Sequence, residues 1–262
     1  MRTAALRVLT VAGIAAALLL PALWNRYPLI YYDTLDYVTM PSIWRMPLYR
    51  TGGYGVFALT GKLTGSFWGI AVAQALIVAY VLYEAFRLLA PDLGWRRQGG
   101  IFAALLLFTA MPWVVSEIMP DALTGAVVLA ALLLGLRDAE LGPWRRGALV
   151  VALGVGAAVH PTHIAILGGL VICIFAFDWL AGRGLPFARL RLRGAVAGLA
   201  LGIALSAFSN WMMTGQVFLA PKTTSTLTMA VLIEDGLAKR YLADVCPEPA
   251  PRKPLLCQFK DT

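Results

Sequence analysis

Charge is what this chain most lacks. Asp, Glu, Lys and Arg together make up 14% of its 262 residues, against roughly 25% in ordinary soluble domains. With 60% hydrophobic residues and a mean hydropathy of +0.74, a water-soluble domain is excluded. Period-two alternation is missing too: the apolar runs are continuous and rich in Ala, Leu and Val, which argues against a membrane barrel and for helices. Only those two structures satisfy their backbone within hydrocarbon. There is no P-loop, no GxGxxG after a strand, no GxSxG elbow and no metal-type CxxC, so no cytoplasmic nucleotide site is visible. No internal repeat is present either, which withholds support from an inverted-repeat transporter.

What is there is a series of runs near the length of about 20 residues that a spanning helix needs. They fall at 7–24, 66–90, 99–117, 121–136, 147–160, 162–180 and 194–213, an all-α integral membrane protein of about seven helices. The fifth and sixth share one long apolar stretch punctuated by "HPTH", where Pro161 breaks the helix. Arg2 and Arg7 ahead of the first run also fit a secretory signal, but the run is long and ends in Trp24 and Tyr27, which suit a retained interfacial helix. The net charge of +8 is a topology signal. Arginines collect in alternate gaps, "APDLGWRRQGG", "LRDAELGPWRRG" and "GRGLPFARLRLRG", placing these and the N-terminus in the cytoplasm.

The remaining gaps then lie outside, and with them both histidines and the unusual acids. The first external connection is long, with Pro28, Pro41, Pro47 and many aromatics, and we expect short interfacial helices in it. Residues 1–213 form the membrane module, and the polar, proline-rich tail 214–262 is external, resembling the start of a further, truncated domain.

Four groups of residues could carry chemistry. Asp33 and Asp36 in "YYDTLDYV" share a face if helical; they are turn or cap residues, or a carboxylate base or metal ligand beside the membrane. Asp121 follows Pro120 at the mouth of the fourth run, with Glu117 four residues earlier; a first-turn acid also suits a helix N-terminus. His160 and His163 at the "HPTH" break are polar groups for a phosphate or sugar, or packing residues, and a metal site lacks a third ligand nearby. Arg45 and Arg50 flank "MPLY" in the same connection as the aspartates, as phosphate ligands or interfacial anchors. Cys246 and Cys257, both external and separated by a proline-rich loop, are expected to form a disulfide, while Cys173 is a small apolar residue within a run.

The order of these motifs resembles the GT-C superfamily of polytopic glycosyltransferases, in its protein mannosyltransferase and aminoarabinose transferase branch. The acidic "YYDTLDY" follows the first run, then comes "RMPLYRTGGYGVFALTG", similar to a KPPLY element, and then the proline and acid of "PWVVSEIMPDALTGAVVLAALLLGL". The tail is similar to that of uncharacterised bacterial membrane proteins grouped loosely with these enzymes. The resemblance implies a multi-pass enzyme of the bacterial inner membrane, taking sugar from a polyprenyl-phosphate donor on the external face and passing it to an acceptor. Asp33 would be its acid/base, and external Arg or His groups would meet the leaving phosphate. It leaves a divalent metal open, and the residues do not indicate one. The paired Asp-Glu of that branch is Asp33-Thr34 here, so either Asp36 or Asp121 supplies a second carboxylate or the site is altered. Two other classes compete: a secondary transporter or lipid flippase, which would want ionisable groups at the membrane midplane, and a non-catalytic membrane fragment. Glu84 and Asp178 lie towards the cytoplasmic ends of their runs, which disfavours the transporter.

Overall fold

A computed structural model of the chain describes residues 2–47, 50–184, 190–220, 224–246 and 257. Among these there are helices, turns and one isolated bridge, and no strand. The helices are α1 (Arg2–Leu18), α2 (Leu20–Trp24), α3 (Thr34–Ile43), α4 (Gly52–Phe57), α5 (Leu59–Thr64), α6 (Trp68–Leu89), α7 (Trp95–Phe108), α8 (Met111–Ser116), α9 (Thr124–Leu136), α10 (Pro143–Ala158), α11 (Pro161–Gly182), α12 (Arg193–Thr214), α13 (Thr224–Glu234) and α14 (Leu237–Val245), with 3-10 turns at Pro120–Leu123 and Asp138–Glu140.

Prolines set most of the punctuation. Pro21, Pro112, Pro120, Pro143 and Pro161 each fall in the first turn of a helix or 3-10 turn. Proline lacks the N–H that would be orphaned there anyway, and its fixed φ suits a helix start. Two ends are closed by glycines in the left-handed region, Gly65 after α5 and Gly215 after α12, where a residue without Cβ carries no strain.

Among the described residues three helices, α6, α11 and α12, are long and apolar enough to cross a membrane, so the chain has the make-up of a helical membrane protein. The expected runs at 99–117, 121–136 and 147–160 form helices of 14, 13 and 16 residues, about 20 to 24 Å at 1.5 Å per residue, short of the roughly 30 Å of hydrocarbon. The third is cut where Thr109 turns extended, and a separate short helix, α8, follows.

The chain divides into two compact units. The first comprises Met1–Pro47 and Thr51–Leu219, the second Leu48–Arg50 and Ala220–Thr262. Within the first, α9 is central, touching α6, α10, α11 and α12, and α1 lies along α6. The closest-packed pair is α10 with α12. Gly194, Gly198, Gly202 and Ser206, four residues apart, lie on the buried face of α12. A Cβ on Gly198 would come within 2.5 Å of Leu153, and one on Gly202 within 2.6 Å of Ala157. Small residues at this spacing let helix backbones approach closely where no hydrophobic force drives association in lipid. By contrast α7 buries no residue and α11 only His163, Leu167 and Ile174. The second unit holds α13, α14 and a disulfide joining Cys246 to Cys257, with Cα atoms 5.6 Å apart.

Candidate functional site: an acidic junction at one end of the bundle

Polar side chains sort to two ends of the first unit. At the arginine-rich end, acids are matched by cations: Glu84 accepts from Arg145, Asp138 from Arg146 at 2.6 Å and from Arg191 at 3.3 Å, and Asp178 accepts from the Leu190 N–H at 3.1 Å. Glu84 lies on the buried stripe of α6 and is 2% exposed. A buried carboxylate requires such a partner, and this pair accounts for Glu84 without a transport role.

The opposite end is built by splicing the segment after α2 onto the break between α8 and α9. The Leu29 N–H donates to the Ser116 carbonyl and the Ile118 N–H to the Leu29 carbonyl, both at 2.9 Å. Thr34 locks the joint: its hydroxyl accepts from the Tyr31 N–H at 2.8 Å and donates to the Ile118 carbonyl at 3.0 Å. Thr34 is buried, at the start of α3. Thr34, the residue after Asp33, is therefore the one tying Asp33 to the Glu117–Asp121 segment. Asp33 occupies the N-cap position of α3, and Asp36 falls in the first turn; both are partly exposed.

Beneath this joint lies a buried amide and phenol. The Tyr54 hydroxyl, fully buried, donates to Gln74 Oε1 at 2.9 Å, and Gln74 Nε2 donates to the carbonyls of Val115 and Glu117 at 2.8 and 2.5 Å. Tyr37 meets the Tyr54 ring edge-on, with centroids 5.1 Å apart. Gln74 thus holds in place the extended backbone that presents Glu117. Close backbone approach is required on the other side of Tyr54: Gly52 N–H donates to Asn210 Oδ1 at 2.7 Å, and a Cβ on Gly53 would lie 1.9 Å from the Ala158 carbonyl oxygen.

The electrostatics tie these acids together. Glu117, half-buried in the non-helical break, has its carboxyl pushed above the ordinary range by burial and, secondarily, by Asp121. The Tyr31 phenol is raised chiefly by its neighbour Tyr32, and then by surroundings that include Asp33 and Glu117. Tyr54 is raised well above its ordinary value by burial first, then by Tyr37, Asp121 and Glu117. Asp33, Glu117 and Asp121 therefore act on shared neighbours. Asp121 is exposed in the first turn of Pro120–Leu123, and it stands on an otherwise apolar groove of about 290 Å³ lined by Val78, Val81, Met111, Val114 and Leu129 among others.

The remaining candidates fall elsewhere. His163 is 2% exposed, with Nδ1 2.7 Å from the Gly156 carbonyl and Nε2 2.7 Å from the Thr124 hydroxyl. The carbonyl can only accept, so Nδ1 carries a proton, and both ring nitrogens are engaged inside the bundle. Of the roles left open for His163, this geometry suits packing: it fastens α11 to α9 and α10. His160 caps α11, its Nδ1 accepting from the Thr162 N–H at 3.3 Å. Arg45 is exposed after the end of α3, and Arg50 groups with the second unit, not with the one carrying Asp33. Cys173 is exposed on α11. Among the described residues no group of His, Cys, Asp and Glu is placed to hold a metal ion.

Sequence reasoning passed over Gln74 and Asn210, yet each is a polar residue within an apolar run, which is itself a signal. It noted Glu117 without assigning it a role. No family model matches the chain, and no curated protein or solved structure is detectably similar to it.

Proposed function

We propose that the chain is a membrane glycosyltransferase of GT-C type, crossing the bacterial inner membrane about seven times with the acidic junction on the external face. The short helices α7, α9 and α10 would complete their crossings with the segments flanking them. In this reading Asp33 removes the proton from an acceptor hydroxyl as that oxygen attacks the anomeric carbon. The bond from this carbon to the donor phosphate breaks, and polyprenyl phosphate leaves with the bonding electron pair. Arg45, in the same unit as Asp33, is the cation proposed to meet its charge. The observation that carries the reading is the Thr34 joint, which ties the residues flanking Asp33 to the segment bearing Glu117 and Asp121. The apolar groove opening at Asp121 suits an isoprenoid chain.

The test is sugar transfer from a polyprenyl-phosphate donor by purified protein in proteoliposomes. Asp33→Asn is expected to reduce the rate by about a hundredfold or more, the usual contribution of a general base, while Asp36→Asn separates a partner carboxylate from a surface residue. Full activity in Asp33→Asn overturns the assignment of the base. Movement of a lipid or solute without any covalent change would point to a transporter instead.

A further inference from the structure

A second cleft, of about 370 Å³, opens at the arginine-rich end between α1, α6 and the start of α10. Its two halves differ. One half is apolar, lined by Val8, Val11 and Leu76, and the other is polar, lined by Arg7, Trp144 and Arg145. From Leu76 to Glu84, which also borders it, α6 rises about 12 Å, close to the depth of one leaflet's hydrocarbon, about 15 Å.

Charge in the polar half is unbalanced. Glu84 is the one carboxylate there and is taken up by Arg145, whose Nε lies 2.9 Å from it. Arg7 has no ion-pair partner among the described residues. One turn beyond Tyr83, which lines the cleft, Arg87 stacks on the Tyr83 ring at 5.6 Å, and its Nη1 is buried without a hydrogen-bond partner in the described structure. Two guanidinium groups, those of Arg7 and Arg145, thus line the cleft beside one neutralised carboxylate, with Arg87 behind Tyr83. Trp144, 91% exposed beside it, suits the headgroup level of a bilayer.

We infer that this cleft binds one anionic glycerophospholipid from the leaflet at the arginine-rich end, with its acyl chain along Val8, Val11 and Leu76 and its phosphate at Arg7 and Arg145. A free anion would use only the polar half, and a zwitterionic lipid would leave the excess positive charge unmatched. The site is separate from the acidic junction, and the inference does not depend on the glycosyltransferase reading.

The experiment is native mass spectrometry of the full chain, purified in detergent and titrated with phosphatidylglycerol, with phosphatidylcholine or with inorganic phosphate. Phosphatidylglycerol is expected to be retained in preference to phosphatidylcholine, with one molecule held most tightly. Arg7→Gln should weaken that molecule about fivefold, the usual effect of one basic residue near a lipid surface. Leu76→Trp, at a partly exposed position, fills the apolar half and should remove it while every arginine stays in place. Size-exclusion profiles matching the wild type show that both variants fold. Equal retention of the two lipids, or retention unchanged in both variants, overturns the inference. Displacement of phosphatidylglycerol by inorganic phosphate, with Leu76→Trp binding as the wild type does, assigns the arginines to a free anion and overturns it as well.

Discussion

At the acidic junction the fold changes how Glu117 titrates. Burial and the Asp121 charge both favour its neutral form, raising its pKa above the ordinary 4.5. For a carboxyl raised on folding, the folded state binds the proton more tightly than the unfolded one, so there is no penalty below the unfolded value. A destabilising contribution then develops as pH rises from 4.5 to the raised native value, and stays constant above it. Glu117→Gln should accordingly melt like the wild type at low pH and at a higher temperature than the wild type near neutrality. Thermal melts of both proteins in detergent across about pH 4 to 8 read this out, and a gap that is constant with pH would exclude Glu117 as its source. Such a residue persists at a cost to stability where it has other work, which fits its place beside Asp33 and Asp121. His163 teaches the opposite lesson: a histidine pair at a helix break invited a ligand role, and the partners on both of its nitrogens assign it to packing.

Among the elements, short helices and glycines do the positioning. The "GGYG" turn of α4 seats Tyr54 under the acidic junction only because Gly53 lies against the Ala158 carbonyl and Gly52 against Ser209. Gly53→Ala places a methyl 1.9 Å from a backbone oxygen, which no side-chain rotation relieves. It should cost at least the 1 to 3 kcal/mol, roughly, of an overpacked core. Gly13→Ala, where nothing lies within 4 Å, should be neutral or slightly stabilising, since alanine is the better helix former. Paired melts of the two variants check this, and equal effects would mean that α4 does not hold this position against α10. Proline breaks were legible because a missing N–H acts locally. The short lengths of α7, α9 and α10 were not, because hydropathy counts apolar residues without registering where the backbone turns extended, as it does at Thr109.

At the scale of the molecule, the two ends carry different chemistry: ion pairs between arginines and acids at one, and a carboxylate cluster joined through backbone at the other. If the bundle spans a bilayer, Trp24 and Trp144, each 91% exposed and at opposite ends, lie on opposite sides. Trp24→Cys, in a Cys173→Ser background, should react with an impermeant maleimide from outside intact cells. Trp144→Cys should react only after permeabilisation. Labelling of both from one side would refute the spanning arrangement. The sequence by itself determined the helical membrane class, the break at Pro161 and the segregation of charge, because each follows from local composition: apolar length, proline chemistry and arginine placement. Only the tertiary structure decided that Thr34 joins Asp33's segment to Ile118, that Gln74 supports Glu117, that Glu84 is neutralised by Arg145 and that His163 is satisfied. Apart from the local bond of His163 to Gly156, those are contacts between residues 39 to 84 positions apart. The pairing of a buried polar group depends on which helices pack together, and helix packing here turns on shape at small residues such as Gly198 and Gly202, which hydropathy does not register.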